Sequence, residues 1–427
     1  MKKFLCLVMF AMLLLGSIPA QAEDITLTMQ VSEGWTGEED EYIASLFTKE
    51  TGVKIEFQIV PADQHHDLLK TKLTAGEAPD IFWIQSSPLS IYGELDPENN
   101  CLDLSGAAWE SLMPEARIEA VSYNGKLYGQ AIWNKSVSFP IVYNKTLFAE
   151  LGLAVPRTFA DFKAACQKIA ESGVTPIYET IPDGWHHGLL VTHTGGRIEQ
   201  LMPGVVDKLN TNQLKLKDTP FLDALNQAKE LVDAGYMGDD WLSNSGNDTT
   251  EVMANREFAM VVGMGTIGNI KKDYPDCKDE FGMFLIPLLD NQTSQSDPYG
   301  PAKFISAKTK YPEQAKAYFA FCMRPENLQY KLDNSRDSWT TLDVTDTAGV
   351  TQRYTPEELE LMSTITDADY GVVFQNRVKY FNAQWMEFCK DLTSLYMGQM
   401  TAEQVCDAID ARREAMAIAQ GDAAWAK

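Results

Sequence analysis

The sequence has few of the residues that build metal and redox centres. It contains 5 histidines and 7 cysteines in 427 residues, and no two cysteines stand in a CxxC spacing, so a zinc or redox motif has no support. Two histidine pairs occur, at His65–His66 and His186–His187. Adjacent side chains point apart on a helix or a strand and rarely share one ion. We therefore expect no metal ion and no cofactor.

Basic residues are scarce relative to acidic ones. The chain has 36 Lys and Arg against 60 Asp and Glu, a formal net charge of -24. Such a surface repels phosphate backbones, which argues against a nucleic-acid partner. It fits either a solubilising surface or attraction of cationic ligands. The sequence also lacks a nucleophile elbow, an HExxH motif and a phosphate loop, so it offers no motif of a known catalytic class.

Long apolar runs are absent except at the amino terminus. Lys2 and Lys3 precede an apolar run at residues 4–15, and Ala20 and Ala22 form a small-x-small cleavage site. This pattern predicts a signal peptide at residues 1–22, since the run is too short for a permanent membrane anchor. Cys6 lies too early in the run to accept a lipid. The expected location is periplasmic or extracellular, after cleavage of the signal peptide.

Alternating strands and helices open the remaining chain, whose length suits two domains. Apolar periodicity predicts strands at residues 25–31, 53–60 and 81–84, with helices at 38–50 and 63–75 between them. Strands that alternate with helices indicate a parallel sheet with right-handed crossovers. Ligands bind such sheets at the carboxyl ends of the strands.

The same α/β alternation returns later, without an internal repeat, low-complexity tract or long linker. A capping box of Thr401 and Gln404 predicts the start of the last helix. Four cysteines lie on apolar faces of predicted helices, so we assign no disulfide pairing; they are Cys166, Cys322, Cys389 and Cys406. The other predicted elements are strands at 140–143, 258–263 and 281–286, and helices from 158, at 221–234 and at 312–323.

Four segments in order carry a family resemblance, at residues 75–82, 124–129, 143–153 and 156–162. With them the chain resembles extracellular solute-binding protein family 1, the maltose-type binding proteins of bacterial ABC importers. The resemblance implies an α/β periplasmic-binding-protein fold of type II, with two lobes joined by hinge crossings and a ligand cleft between them. Lobe one would comprise residues 23–132 plus 296–334, and lobe two 133–295 plus 335–427. Residues 334–341 lack the Gly-Pro type segment that members often have there.

The candidate ligand-binding residues combine aromatic side chains, which can stack on the C–H faces of a sugar, with polar side chains, which can hydrogen-bond to its hydroxyls. Most of them follow predicted strands or lie near the expected crossings. For Trp35 and Trp185 the alternative is packing in the core, and Asp337 and Trp339 lie in the departing segment. The predicted set is Glu33, Trp35, Gln85, Ser86, Trp133, Asn134, Trp185, His186, Met264, Asp297, Tyr299, Asp337 and Trp339.

The predicted function is a non-enzymatic, monomeric binder that delivers a carbohydrate to the membrane permease of an ABC importer. One alternative is a polyamine binder, for which Glu33, Asp297 and Asp337 are the candidate carboxylates. A second is a secreted glycoside-processing enzyme, which needs two carboxylates at a fixed separation. A third is a structural or sensory surface protein.

Overall fold

A computed structural model describes residues 25–86, 95–113, 115–131, 139–263, 265–296, 299–334, 349–351, 354–365 and 370–426. Its strands fall into two main sheets and two short pairs. The strands are β1 Thr26–Ser32, β2 Lys54–Val60, β3 Ile81–Gln85, β4 Ser122–Tyr123, β5 Lys126–Leu127, β6 Gly129–Gln130, β7 Ile141–Asn144, β8 Thr175–Tyr178, β9 Phe258–Val262, β10 Phe281–Phe284, β11 Ser294–Ser296, β12 Pro301–Ile305 and β13 Tyr370–Val372.

Helices surround both main sheets, and the longest of them is the last. They are α1 Glu38–Thr51, α2 Ala62–Ala75, α3 Pro97–Asn100, α4 Glu115–Ala120, α5 Lys145–Glu150, α6 Phe159–Glu171, α7 Gly188–Thr192, α8 Gly195–Leu201, α9 Val205–Asn210, α10 Pro220–Asp233, α11 Thr249–Ala254, α12 Thr266–Asp273, α13 Pro312–Cys322, α14 Pro325–Asn334, α15 Pro356–Met362, α16 Phe374–Arg377, α17 Trp385–Tyr396 and α18 Ala402–Ala419.

The first sheet has five strands in the order β2-β1-β3-β12-β6. β1 pairs in parallel with β2 and β3, as the opening alternation of strands and helices predicts. β12 arrives from far along the chain and pairs antiparallel with β3, so that Pro301 lies opposite Gln85. The carboxyl ends of β1 and β3 and the amino end of β12 therefore meet at one edge, which we call the lobe-one edge.

The second sheet has four strands in the order β10-β7-β9-β8. β8 and β9 are parallel, and β7 runs antiparallel to both β9 and β10. The carboxyl ends of β8, β9 and β10 thus lie beside the amino end of β7, at what we call the lobe-two edge. The predicted strand at 281–286 ends earlier, at Phe284, because its neighbour β7 begins at Ile141, directly opposite.

Each sheet has its own hydrophobic core. One core joins residues between 27 and 131 to residues between 302 and 350, and includes Phe82 and Phe304. The other joins residues between 139 and 289 to residues between 374 and 409, and includes Phe221 and Phe388. Both cores thus combine stretches that are distant in the sequence. The predicted crossing at 132–133 lies outside the described residues, and the lobe boundaries stay a prediction.

Local sequence signals set several of the observed boundaries. Asn124 and Gly125 both have positive φ, of 48° and 73°, which is the geometry of a tight hairpin turn. They join the antiparallel strands β4 and β5, so residues 124–129, one of the four segments of the family resemblance, begin in a hairpin turn. Asn144 caps α5, since its side chain accepts a hydrogen bond from the Leu147 backbone N–H. That cap explains why β7 passes directly into a helix.

Burial accounts for the cysteines. All six cysteines among the described residues are free, and all but Cys277 are buried. Burial raises the pKa of the Cys166 thiol, which keeps the thiol neutral and unreactive. Cys166, Cys322, Cys389 and Cys406 therefore act as small core residues, as their helical spacing predicts. Among the described residues, no helix combines the length and the apolar character needed to cross a bilayer.

The capping box of α18 gives a simple test of local stability. Thr401 Oγ1 accepts from the Gln404 backbone N–H, and Gln404 Oε1 accepts from the Thr401 N–H. We expect Thr401→Ala to lower the free energy of unfolding by about 1 kcal/mol, because the helix loses its first-turn acceptor. Thr401→Ser keeps a hydroxyl and should stay near wild type in urea unfolding. Equal losses for both variants would contradict this role.

Candidate functional site

The lobe-one edge gathers five of the predicted site residues. Glu33 is exposed and Trp35 is half-buried just after β1. Gln85 is the last residue of β3, Ser86 follows it, and Tyr299 precedes β12. Gln85 Nε2 donates to the Tyr299 carbonyl at 2.7 Å, and Ser86 Oγ donates to the Gly300 carbonyl at 2.7 Å. These two side chains fix the backbone just before β12 to the end of β3. Their donor groups are therefore already used and are less available to a ligand.

A buried histidine, His65, packs against the ring of Trp35. The Trp35 and His65 rings meet edge to face, with centroids 5.2 Å apart. His65 Nε2 lies 2.8 Å from the Trp83 carbonyl oxygen. Burial lowers the pKa of His65 to about 4, so the ring is neutral at neutral pH and its Nε2–H donates to that carbonyl. A neutral, fixed ring therefore holds one edge of the Trp35 indole.

The lobe-two edge has the same arrangement of a tryptophan beside a histidine. Trp185 is half-buried in the loop after β8. Its ring meets His186 edge to face with centroids 5.3 Å apart, and Phe139 at 6.1 Å. Phe139 comes just before β7, so the aromatic group lies beside the amino end of β7, at the lobe-two edge. Each sheet thus carries one half-buried indole at the edge where ligands bind in α/β proteins.

The histidine beside Trp185 is paired with a buried carboxylate. His186 Nδ1 lies 2.5 Å from Glu179 Oε1, and Glu179 is fully buried directly after β8. Burial alone lowers the pKa of His186, but the charge and hydrogen bond of Glu179, with Asp183 and the Val262 backbone, raise it above its usual value. His186 is therefore an imidazolium over a wider pH range than a free histidine, unlike His65.

Helix α17 fixes the Trp185 loop from its other side. Cys389 Sγ donates to the Trp185 carbonyl at 3.4 Å, and His187 Nε2 lies 2.7 Å from the Cys389 carbonyl oxygen. Thr393 Oγ1 is 3.1 Å from the same nitrogen. A Cβ on Gly188 would come within 2.7 Å of the Trp385 ring, so the loop can approach α17 this closely only with glycine there.

The structure places seven of the thirteen predicted residues in these two groups, and the role of each in binding stays a prediction. Two supporting residues were absent from the predicted set. Glu179 is a polar residue directly after a strand, the same signal that selected Gln85, and could have been found in that way. His65 lies within a helix and carried no such signal. Six predicted residues lie outside the described residues: Trp133, Asn134, Met264, Asp297, Asp337 and Trp339.

Metal binding has no support in the described part of the chain. No group of three or more His, Cys, Asp or Glu side chains there could hold an ion. His65 and His66 lie next to each other on α2, and His65 points to the Trp83 backbone. His186 and His187 likewise contact different partners, Glu179 and Cys389. Neither pair converges on a common point.

Comparison with known proteins identifies the family. The family model described as bacterial extracellular solute-binding protein matches residues 34–329. This chain belongs to that family. The matched range begins just after β1 and ends within α14, so it includes every strand of the two main sheets except β1, and both tryptophans at their edges. The family resemblance predicted from four short segments is confirmed.

Known solute-binding proteins also share the fold. The chain is 26% identical over 293 residues to a multiple sugar-binding protein of Streptococcus mutans, which covers 66% of this chain and 68% of the relative. It is similar to a solved chitin oligosaccharide binding protein, with a TM-score of 0.75, 18% identity and coverage of 92% and 99% of the two chains. It is also similar to the solved structure of a sugar transporter from Bacillus licheniformis in complex with stachyose. The TM-score is 0.72 and the identity 19%, and the match covers 92% of this chain and 100% of the other. The predicted α/β fold, periplasmic-binding-protein type II, is confirmed.

Proposed function

We propose that this solute-binding protein captures a mono- or oligosaccharide between its two lobes and delivers it to the membrane permease of an ABC importer. The observation that supports the proposal is a half-buried indole at the lobe-one edge and another at the lobe-two edge, Trp35 and Trp185. Flat aromatic faces suit the C–H faces of sugars. The names of the three similar proteins described above refer to sugars or oligosaccharides, which supports the same ligand class.

The proposal includes export and a role without catalysis. The amino-terminal pattern at residues 1–22 supports a cleaved signal peptide, and membership of an extracellular family agrees with export. Neither the Glu179–His186 pair nor the Gln85–Tyr299 contact presents an activated nucleophile. We propose a monomer that closes about its crossings and buries the sugar.

A sugar that binds only the folded protein should raise its melting temperature. We expect raffinose, stachyose, melibiose or diacetylchitobiose to give such a shift in a thermal-denaturation panel. At a concentration of about 100 times Kd the stabilisation is about 2.7 kcal/mol. Putrescine and spermidine serve as controls for the polyamine alternative. Shifts with the polyamines and none with any sugar would contradict the proposal.

Incubation with the same oligosaccharides separates binding from turnover. The expected result is stoichiometric binding with intact sugar recovered, measured by calorimetry and chromatography. A glycosidase would instead release shorter products, because its paired carboxylates cleave the glycosidic bond. Product that increases with time and with protein concentration would therefore overturn the binding role.

A further inference from the structure

Glu179 is a fully buried carboxylate whose only described cationic neighbour is a histidine. One oxygen, Oε1, contacts His186 Nδ1 at 2.5 Å and accepts from the Thr180 backbone N–H at 3.1 Å. The other, Oε2, has no hydrogen-bond partner among the described residues. A buried carboxylate needs a paired charge or several donors. The His186 imidazolium is therefore the main compensation for this charge.

The pair is directly linked to the indole at the lobe-two edge. His186 follows Trp185 in the chain, and the two rings meet with an interplanar angle of 78°. The Trp185 carbonyl and His187 are fixed to α17 through Cys389. The loop is thus held at three consecutive residues. The middle contact, between His186 and Glu179, joins two oppositely charged groups, because Glu179 raises the pKa of His186 whereas burial lowers that of His187.

We propose that Glu179 and His186 are positioning residues for Trp185, and that sugar binding is tight only while His186 carries its proton. This inference rests on the proposed sugar-binding function. Loss of the proton leaves the Glu179 carboxylate buried without a cation, which costs free energy. The contact that orients the imidazole is then weakened, and the Trp185 indole loses its support on that side.

The other titratable groups near His186 stay uncharged or negative, so His186 is the group from which we expect this pH response. Burial lowers the pKa of His187, and lowers that of His193 to about 3, so both rings are neutral. Burial raises the pKa of Cys389 and of Tyr396, which keeps them uncharged. Asp183, in the same loop, adds negative charge beside His186. The described neighbours therefore supply no second cation.

The direction of the pH dependence follows from the raised pKa of His186. A histidine with a raised pKa gives its full stabilisation below pH 6.5 and loses it as the pH rises through the folded-state pKa. If sugar binding requires the imidazolium, the proton and the sugar each favour the binding of the other. The affinity for sugar therefore falls as the pH rises through the folded-state pKa of His186. The Trp35 side should give no such response, because its histidine is neutral from about pH 5 upward, with a pKa of about 4.

The test compares Glu179→Gln and His186→Gln with the wild type. The probe is the panel sugar, among the four named above, that stabilises the wild type most, and Kd is measured by calorimetry from pH 5.5 to 9. We expect the wild-type Kd to rise about tenfold for each pH unit above the pKa of His186. Both variants should bind weakly with a Kd that is flat with pH. An unchanged slope in Glu179→Gln would overturn the inference.

A matched control separates positioning from general loss of stability. Asp410 is also a buried carboxylate, on α18. Its Oδ1 pairs with Arg413 at 2.8 Å, and its Oδ2 accepts a hydrogen bond from the Leu216 backbone N–H. Asp410→Asn removes a buried charge without touching the Trp185 loop, so it should lower the melting temperature and keep the wild-type slope of Kd with pH. If it flattens that slope as Glu179→Gln does, the inference is wrong.

Trp185 fluorescence tests positioning even without a sugar. The difference between the emission spectra of wild type and Trp185→Phe should show a pH transition, since the imidazolium contacts the indole. We expect Glu179→Gln to abolish it. Persistence of the transition contradicts the positioning role. If the transition behaves as expected and no panel sugar binds, the proposed sugar function fails while the link between Glu179 and Trp185 stands.

Discussion

Trp35→Ala is expected to weaken sugar binding about 30-fold. Stacking one sugar ring on an indole removes roughly 80 Å² of apolar surface from water, which at about 25 cal/mol per Å² corresponds to about 2 kcal/mol. The measurement is the change in Kd by calorimetry. Trp185→Ala should have a similar effect from the other sheet. Trp133→Ala is expected to weaken binding as well, from a position outside the described residues.

Two variants test whether the Trp35 effect is specific. Trp35→Phe keeps a flat face beside His65 and should recover most of the affinity. Tyr42 is a partly exposed aromatic on α1 that stacks on Tyr330 instead of lying after a strand. Tyr42→Ala should leave Kd unchanged while lowering stability slightly. Normal binding by both Trp35→Ala and Trp185→Ala would show that the indoles at the two edges are not the sugar platforms.

The first five elements of the fold could be predicted closely because their signals are local. The predicted bounds of β1, α1, β2, α2 and β3 are each within one residue of those observed. Alternation of apolar residues defines the strands, and glycines in the left-handed region end the helices. Gly52 and Gly76 have φ of 80° and 72°, and their backbone N–H groups donate to carbonyl oxygens of the last helical turns. Such features depend only on neighbouring residues.

Strand order could not be obtained in the same way. β12 lies between β3 and β6 although its residues follow β3 by more than two hundred positions. The strands predicted from periodicity do not include Pro301–Ile305, and apolar periodicity contains no information about which strands pair. Only the family resemblance assigned residues 296–334 to lobe one, and that assignment stays a prediction. The structure shows that Phe304 of β12 pairs with Phe82 of β3.

Candidate site residues could be selected from the sequence where polar residues directly follow strands, and their roles in binding stay a prediction. This rule located Glu33, Gln85 and Ser86, because a parallel sheet brings the ends of its strands to one edge. It could not show that Gln85 and Ser86 donate to backbone carbonyls of the β12 entry. The same limit hid the link between Glu179 and His186, which are seven positions apart in an irregular loop whose path the sequence does not determine.

The buried ion pair between α1 and α14 gives the largest expected effect on stability. Lys331 Nζ lies 2.6 and 2.7 Å from the two carboxylate oxygens of Asp40, and both side chains are at least nine-tenths buried. Lys331→Ala should lower the free energy of unfolding by about 3–5 kcal/mol, because it leaves the Asp40 carboxylate buried without its cation. The measurement is urea unfolding followed by circular dichroism.

A second ion pair between the same regions supplies the control. Arg324, just before α14, contacts Glu50 on α1 at 2.8 Å, but both side chains are largely in water. Arg324→Ala should therefore change stability far less than Lys331→Ala, since water screens and solvates exposed charges. Replacing both members of the buried pair, as Asp40→Leu with Lys331→Met, should recover much of the loss because no unpaired charge remains. A small effect of Lys331→Ala, equal to that of Arg324→Ala, would mean that Asp40 does not depend on this cation.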